Sequence, residues 1–394
     1  MTRRRLAALV AAAVAVAGVG VATTTLSASG DTRAASSRTM LVGLYDEGAT
    51  LYGNPAAVFP VFRALHAQVI RLNLHWGGPA AVAPTRPLDP VDPNDSAYDW
   101  APYDRAVQYA ARYGLQVLFS IVGTPSWASG ATGWNHAPRN PRDLRDFAVA
   151  AATRYSGTWT STDGARLPAV HLWVAWNEPN NPVFLVPQYR RVGGKWVVES
   201  AIEYAKICNA IYSGIHAARV PGEQVACGVT APRGNNNPSG ARASVSPLVF
   251  VRALHAAGLE RFDAFAHHPY AVSPTETPAE KPRSVAGKAP TAVTLGNIDT
   301  LISLVTRYWG RKPIWITEYG YQTNPPDRFA GVPWAKQAQY LTQSFAIARA
   351  NPRITLMLWF LLRDEPDLAG WQSGLETVTG KKKPAFAAFQ HLPH

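Results

Sequence analysis

Short apolar runs alternate with amphipathic helical patterns along the chain from residue 41 onward. Eight of these runs are rich in β-branched residues and predict strands: Leu41–Tyr45, Val69–Leu74, Gln116–Val122, Val170–Trp176, Gln224–Val229, Phe262–His267, Pro313–Thr317 and Ile354–Leu361. A helical pattern follows each run in turn: Val58–His66, Tyr103–Tyr113, Pro141–Tyr155, Ile202–Arg219, Leu248–Ala257, Leu295–Tyr308, Trp334–Ala350 and Ala385–Gln390. This regular alternation of eight strands and eight helices predicts an α/β fold, a single (β/α)8 TIM barrel, rather than an open sheet.

Four of the strand-to-helix connections are long, whereas the helix-to-strand turns are short. The long connections are Gly77–Asp99, Thr124–Asn140, Asn181–Ser200 and Tyr270–Thr294. In barrels such loops surround the C-terminal face, where active sites are built. The loop after strand four holds two β-like runs around Gly193-Gly194, which predict a hairpin rising beside the site.

The N-terminal segment has the pattern of a secretory signal. Arg3, Arg4 and Arg5 precede an apolar run from Leu6 to Val21, and small residues follow. The run is shorter than the roughly 20 apolar residues of a spanning helix, so we expect no stable membrane insertion after cleavage. We therefore assign residues 1–36 to the signal and a short tail, residues 37–394 to the barrel, and a secreted, extracellular location to the protein.

Composition excludes disorder and does little to support a nucleic-acid partner. The chain has 394 residues, 47% of them hydrophobic, including 13 tryptophans. Its net charge of +12 comes from scattered Lys and Arg, and only Lys381-Lys382-Lys383 forms a run. We interpret that run as a solvated turn, and we expect a monomer that binds no nucleic acid.

The two cysteines leave a disulfide open. Cys208 lies in a predicted helix and Cys227 in the strand after it, at similar heights. A helix and its sheet usually lie too far apart for the short Cα separation of a disulfide, so we expect two buried thiols. Neither cysteine has a His or carboxylate at ligand spacing, and we expect no metal.

Two glutamates end strand-like runs, Glu178 on strand four and Glu318 on strand seven. An unpaired ionised group that is buried at a strand end is costly. These two strand ends face each other across a barrel mouth. We expect Pro179 to hold Glu178 extended, and Glu318 to continue the strand face of Ile314 and Ile316.

Facing carboxylates about 5–5.5 Å apart are the arrangement of retaining glycosidases, which act through a covalent intermediate. The alternative is that Glu178 and Glu318 are structural residues in salt bridges. We favour the catalytic interpretation because each glutamate lies where barrel chemistry is expected.

The motifs around both glutamates resemble glycoside hydrolase clan A, the retaining barrel glycosidases. Trp176-Asn177-Glu178-Pro179 matches the acid/base motif of the clan, and Ile316-Thr317-Glu318-Tyr319-Gly320 its nucleophile motif. Further similar stretches are Tyr98–Trp100, Tyr103–Arg105, Thr124–Trp127 and Ala266–Tyr270, and the ending, Ser373–Leu375 with Lys383–Phe386, is similar to families 39 and 5. The resemblance covers nearly the whole mature chain and implies that Glu178 is the acid/base and Glu318 the nucleophile.

Four other residues are candidates for the substrate site. Asn177 would bond the sugar 2-hydroxyl, its alternative role being to orient a turn. Arg71 is a cation on an apolar strand and needs an anionic partner, either Glu318 or a group deeper in the barrel. Tyr270 or His267 could donate to Glu318. His267 and its neighbour His268 face opposite ways on a strand, so they cannot share a metal ion.

Aromatic residues near strand ends are candidates for stacking on a pyranose ring. Trp76, Trp127, Trp176 and Trp359 lie there, and we expect Trp359 to form the platform under the sugar at the cleavage point. Core packing is the rival interpretation for each of them.

The sequence therefore predicts a secreted, cofactor-free retaining glycosidase that hydrolyses O-glycosidic bonds of a polysaccharide or oligosaccharide. A catalytically inactive glycan-binding barrel and a transglycosylase using the same two glutamates are the alternatives. The sugar, the linkage and the choice between exo and endo cleavage stay open.

Overall fold

The computed structural model describes residues 40–160, 164, 166–283 and 291–393, so the predicted signal segment lies outside the described residues. Eight parallel strands form a closed barrel: Leu41–Tyr45, Val69–His75, Gln116–Val122, Leu172–Ala175, Gln224–Thr230, Ala264–His267, Ile314–Tyr319 and Ile354–Phe360. We number them strands one to eight. Strand one pairs with strand eight, from Leu41 opposite Leu356 to Tyr45 opposite Phe360, which closes the barrel. The predicted (β/α)8 barrel is confirmed.

Eight helices of seven residues or more follow the strands within the described chain: Pro55–Ala64, Ala101–Arg112, Pro141–Arg154, Glu199–Ala217, Pro247–Ala256, Asp299–Trp309, Trp334–Ala350 and Pro384–Gln390. Short helices Glu47–Thr50 and Ser126–Ser129 lie in the loops after strands one and three. The predicted helix from Leu295 divides into a 3₁₀ turn, Leu295–Asn297, and the helix from Asp299. The predicted hairpin is present, with Arg190–Val192 antiparallel to Lys195–Val197.

Alternating strand residues supply two apolar layers. One buried cluster takes residues from strands two to eight, with the partly buried Leu41 of strand one packed against it and, among the described residues, none from a helix, so it fills the barrel interior. It includes Leu118, Val174, Trp315 and Leu358. The larger cluster joins the opposite strand faces to the helices. This alternation decides which side chain at each strand end reaches the barrel mouth.

The expectation of two free thiols is wrong, because Cys208 and Cys227 form a disulfide. Their Cα atoms are 6.1 Å apart, within the range that a disulfide spans. That expectation was based on the distance between a helix axis and the sheet beneath it. Cys208 lies on the near side of its helix, where the Cα is closer to the sheet than the axis by about 2.3 Å.

The lysine run is only partly solvated. Lys381 and Lys382 are exposed, but Lys383 is buried and its ammonium is 2.7 Å from Asp364. Lys383 therefore belongs to the structure of the barrel rather than to a surface turn. Within the described residues, no helix has the length and apolarity that are needed to cross a bilayer.

Candidate active site

Glu178 reaches the barrel mouth through an unusual turn after strand four. Trp176 has a φ of 71° and Glu178 a φ of 38°, both in the left-handed region. The expectation that Pro179 holds Glu178 extended is therefore wrong. Such a conformation costs on the order of 1–3 kcal/mol in a non-glycine residue and persists only where its surroundings enforce it. Here the fully buried Asn180 fixes the turn, because its side chain bonds backbone groups of the loop after strand five.

Glu318 reaches the mouth through a bulge at the end of strand seven. Ile314 and Ile316 pack against the helices, so the face we expected Glu318 to continue is the wrong one. The pairing with strand eight shifts register between Ile316 and Tyr319. A bulge redirects the side chains that follow it, and Glu318 consequently turns toward the barrel axis.

Arg71 bonds residues at the ends of both strand four and strand seven. It is fully buried on strand two, and its Nη1 donates to Glu318 Oε1 at 2.7 Å. Its Nη2 donates to Asn177 Oδ1 at 2.7 Å, and its Nε to Ser120 Oγ at 2.8 Å. The expected ion pair between Arg71 and Glu318 is present. One guanidinium therefore fixes the orientation of Glu318 and of the residue beside Glu178.

Tyr270 and His268 complete the polar cluster. The Tyr270 hydroxyl donates to Glu318 Oε2 at 3.1 Å. Of the two donors expected for Glu318, Tyr270 and His267, Tyr270 is therefore the one observed. His268 Nδ1 lies 3.0 Å from Glu178 Oε1 and 3.6 Å from Glu318 Oε2. His267 does not reach Glu318, and its ring bonds Thr230 Oγ1 and the Val293 carbonyl instead.

His268 is a site residue that sequence reasoning missed, although strand alternation contains the signal. Ala264 and Ala266 lie in the barrel-interior cluster, and His268 is the next residue of the same parity. His267 has the opposite parity and faces away from the mouth.

The environments of the titratable groups differ in a way that suits acid catalysis. Burial raises the pKa of Glu178 above its usual range, and the Asn181 amide and the charges of Arg71 and Arg233 only partly offset it. Burial lowers the pKa of His268 to about 4, so its imidazole is neutral near pH 7. Burial also raises the pKa of Tyr270 well above the usual range, so its hydroxyl stays a donor.

Glu178, His268 and Glu318 each present one ligand atom, and these atoms lie within 4.8 Å of one another. The spacing would admit a metal ion by geometry alone. However, the Arg71 guanidinium already pairs with Glu318, and a second cation beside it would be repelled. The cluster is better described as two carboxyl groups bridged by a neutral imidazole and oriented by an arginine.

The tryptophans chosen from the sequence do not line the cleft within the described chain. Trp359 is fully buried on the helix side of strand eight, and its Nε1 donates to the Ser373 carbonyl at 2.9 Å. Trp76 stacks on Phe147 in the core. Trp127 is half-buried beside Arg86 and bonds the Ala83 carbonyl. Fully buried Trp176 bonds the Phe184 carbonyl.

Other aromatic residues line the cleft instead: Tyr45, Phe184, Tyr270, Tyr321, Phe360 and Trp371. Trp371 is 38% exposed, and its ring centroid lies 5.2 Å from that of Tyr270 and 5.3 Å from that of Phe360. Phe360 follows Leu358 in parity, so alternation could have identified it in place of Trp359. Trp371 lies in the loop after strand eight, where no periodicity indicates direction.

The cleft has a volume of about 1290 Å³, above the roughly 300–1,000 Å³ that is typical of small-molecule sites. Its walls come from the loops after strands four to eight, and both glutamates line it. The hairpin residues 190–197 are not among the described residues that line it, so the expected place of the hairpin beside the site is not observed. A cleft of this size suits an extended ligand of several units.

No family model and no curated protein matches the chain. Solved structures do match. A family 39 glycoside hydrolase from Bacteroides cellulosilyticus WH2 is 18% identical with a TM-score of 0.61, over 90% of this chain and 64% of that one. A glucosidase from Croceicoccus marinus is 14% identical with a TM-score of 0.63, over 90% and 67%. A family 5 subfamily 18 enzyme from Streptomyces cattleya is 15% identical with a TM-score of 0.51, over 90% and 80%.

These comparisons show the barrel fold. Structures of families 39 and 5 are among the matches, and these are the families that the C-terminal motifs, Ser373–Leu375 and Lys383–Phe386, resemble. The chain spans about two thirds of the length of the first two neighbours. Identity below one fifth leaves the chemistry to be argued from the site.

Proposed function

We propose that this protein is a retaining glycoside hydrolase that cleaves O-glycosidic bonds through a covalent glycosyl-enzyme. The observation that carries the proposal is the convergence of Glu178 and Glu318, with an oxygen of each within 4.8 Å of the other. Retaining enzymes hold their two carboxyl groups about 5–5.5 Å apart, whereas inverting enzymes need about 6.5–9.5 Å to admit a water.

The surroundings of Glu318 suit a nucleophile. It receives hydrogen bonds from Arg71 and Tyr270, and these two donors fix the orientation of its carboxyl group. In the first step, an oxygen of Glu318 forms a bond to the anomeric carbon while the bond from that carbon to the glycosidic oxygen breaks.

The surroundings of Glu178 suit an acid that later acts as a base. Its raised pKa keeps a proton available for the departing oxygen. In the second step, the Glu178 carboxylate takes a proton from water, and the hydroxide portion displaces Glu318 from the anomeric carbon. Two inversions restore the starting configuration of the sugar.

Asn177 is placed to bind the sugar at the point of cleavage. Its Oδ1 accepts from Arg71, which leaves the amide NH₂ as the group available to the cleft that it lines. A bond from this NH₂ to the sugar 2-hydroxyl would strengthen as charge develops at the anomeric centre.

We further propose that the enzyme acts outside the cell after removal of the N-terminal signal. The Cys208–Cys227 disulfide supports this location, because disulfides persist in oxidising compartments. Detection of the processed chain in culture medium, with a new N-terminus between Ala28 and Ser36, tests it. Retention of the full-length chain in the cell would contradict it.

The catalytic roles are tested with Glu178→Ala and Glu318→Ala, after a screen of nitrophenyl glycosides and soluble polysaccharides has identified a substrate. Glu260→Ala is the control, since Glu260 is exposed beyond the helix Pro247–Ala256. We expect Glu318→Ala to abolish turnover. We expect Glu178→Ala to lose roughly 10²–10⁴-fold on poor leaving groups and much less on nitrophenyl glycosides.

Azide separates the two roles. It should restore the rate of Glu178→Ala and give a glycosyl azide of the same anomeric configuration as the substrate, a β-azide from a β-glycoside. Azide can also replace a missing nucleophile, so an inverted azide from Glu318→Ala would agree with the proposed roles. If Glu178→Ala gave the inverted azide instead, the roles would be exchanged. Normal activity in both variants would refute the proposed function.

A further inference from the structure

The loops after strands five and six are joined by a hydrogen bond and form one wall of the cleft, which carries three exposed arginines: Arg233, Arg242 and Arg283. The first two belong to the loop after strand five, and the third to the loop after strand six. Within the described residues, none of the three forms an ion pair with a carboxylate. The one side-chain hydrogen bond described for them joins Arg233 to the backbone carbonyl of Val272. An arginine without a counter-ion in a ligand cleft leaves its donors free for a ligand.

Hydrogen bonds fix the backbone of the loop after strand five, which carries Arg233 and Arg242. Asn235 Oδ1 accepts from the backbone of Asn237 and Ser244, and Asn236 Oδ1 accepts from the backbone of Ser246. The two arms approach so closely that a Cβ on Gly234 would lie 2.1 Å from the Val245 carbonyl carbon. The backbone of this loop is therefore preorganised, which reduces the part of the entropy cost of binding that comes from the loop.

The cleft carries little negative charge of its own on this side. Its acidic lining residues are Glu178, Glu276 and Glu318. Glu276 is buried, and its Oε2 accepts from the Val272 backbone at 2.9 Å. Arg71 already neutralises Glu318. The three arginines therefore make this wall positive.

The positive wall lies on the leaving-group side of the bond to be cleaved, a placement that rests on the proposed function. The loop that carries Arg233 adjoins the turn that carries Glu178, because the Asn180 side chain bonds the backbone N–H and carbonyl of Ala231. A general acid gives its proton to the glycosidic oxygen and therefore adjoins the sugar unit that departs.

We propose that the leaving-group side of this cleft binds an anionic group of a glycan through Arg233, Arg242 and Arg283. The anion is a carboxylate of a uronic acid or a sulfate ester, because a guanidinium binds each of these with paired hydrogen bonds. The substrate is thus an acidic polysaccharide or oligosaccharide rather than a neutral one.

The test compares two triple variants of equal charge in the full chain. R233Q/R242Q/R283Q removes the wall. R112Q/R252Q/R307Q removes three exposed arginines of outer helices and serves as the control. The control is essential because the net charge of +12 attracts any polyanion weakly.

Affinity electrophoresis at about 0.15 M salt, where surface charges are largely screened, measures binding. The carboxylate probes are polygalacturonate, alginate and hyaluronan, and the sulfate-ester probes are chondroitin sulfate and dextran sulfate. Galactan and β-glucan are the neutral probes, and duplex DNA is the competing polyanion. We expect wild type and control to bind at least one acidic glycan, and the cleft variant to lose roughly tenfold or more.

Three results would overturn the inference. These are no preference of wild type for any acidic glycan over the neutral ones, equal losses in both triple variants, and equally strong, wall-dependent binding of DNA. Turnover separates this inference from the proposed function. Hydrolysis of neutral glycosides without acidic preference refutes only the positive wall. Wall-dependent binding of an acidic glycan without hydrolysis of any glycoside refutes only the enzyme.

Discussion

Arg71 and the protein interior give the two catalytic candidates different surroundings. Glu318 accepts from the Arg71 guanidinium and the Tyr270 hydroxyl. Glu178 accepts from the neutral Asn181 amide and lies beside the neutral ring of His268, with its side chain 12% exposed. Desolvation disfavours the charged form of a carboxyl group, and nearby donors favour it. The same side chain therefore suits an acid in one position and a nucleophile in the other.

Arg233→Gln should move the basic limb of the pH profile of kcat/KM to higher pH. The acid must be protonated, so activity falls as pH rises through the Glu178 pKa. The Arg233 charge lowers that pKa, and its removal should raise it further. Kinetics on a neutral nitrophenyl glycoside at low salt measure the limb, with Arg252→Gln as the control. If the basic limb stayed in place or moved to lower pH in Arg233→Gln, the prediction would be wrong. Either the limb would not report the Glu178 pKa, or the Arg233 charge would not lower that pKa.

Trp371→Ala and Trp359→Ala should affect different properties. Trp371 is partly exposed in the cleft, so its loss should lower kcat/KM about threefold to tenfold and leave the melting temperature nearly unchanged. Trp359 is a core residue, so its loss should cost about 3–5 kcal/mol of unfolding free energy. Thermal melts beside activity per folded molecule distinguish them. Exchanged phenotypes would return Trp359 to the sugar platform.

Residue chemistry was predictable where a motif or a strand phase defined it. Asn177, Glu178 and Glu318 follow from motifs, and Arg71 from a charge on an apolar strand. Strand alternation places His268 and Phe360 at the barrel mouth. It places Trp359 on the helix side of its strand, so the aromatic type of Trp359 was a misleading signal. Trp371 and the arginine wall lie on loops, where contacts far along the chain set direction and no periodicity exists.

At the scale of elements, strand positions were predicted closely, but their irregular ends were not. A bulge before Tyr319 and the left-handed turn at Trp176 redirect the two glutamates. Both departures need neighbouring strands to impose them, because neither Trp176 nor Glu178 favours a positive φ. Local propensity therefore predicts that a strand ends and not where its last side chain points.

The helix-to-strand disulfide should stabilise this part of the barrel. Cys208 and Cys227 are 19 residues apart, and closing a loop of that size contributes about 3 kcal/mol in the chain-entropy description. Cys208→Ala/Cys227→Ala should lose about that much in urea unfolding. Dithiothreitol should bring wild type to the level of the variant and leave the variant unchanged. Equal stability of wild type and variant without reductant would show that the bond is absent or strained.

At the scale of the whole molecule, the C-terminal segment stabilises the mouth of the barrel. Lys383 Nζ donates to Asp364 Oδ1 at 2.7 Å, to Thr323 Oγ1 at 2.9 Å and to the Gln372 carbonyl at 3.3 Å. These partners lie in the loops after strands seven and eight, and Gln372 is next to Trp371. The end of the chain thereby supports the loop that carries Trp371, for which the sequence predicts neither a helix nor a strand.

Lys383→Met should cost about 3–5 kcal/mol of unfolding free energy, because it leaves the buried Asp364 carboxylate without its cation. Adding Asp364→Asn should recover much of that loss, since a neutral amide oxygen can still accept from the Gly374 backbone. Exposed Lys382, whose ammonium lies over Phe386, is the matched control, and Lys382→Met should cost less than about 1 kcal/mol. Denaturant melts of the four variants, including Asp364→Asn alone, give the coupling energy. Equal costs at Lys382 and Lys383, or no recovery in the double variant, would mean that the pair does not tie the C-terminus to the cleft.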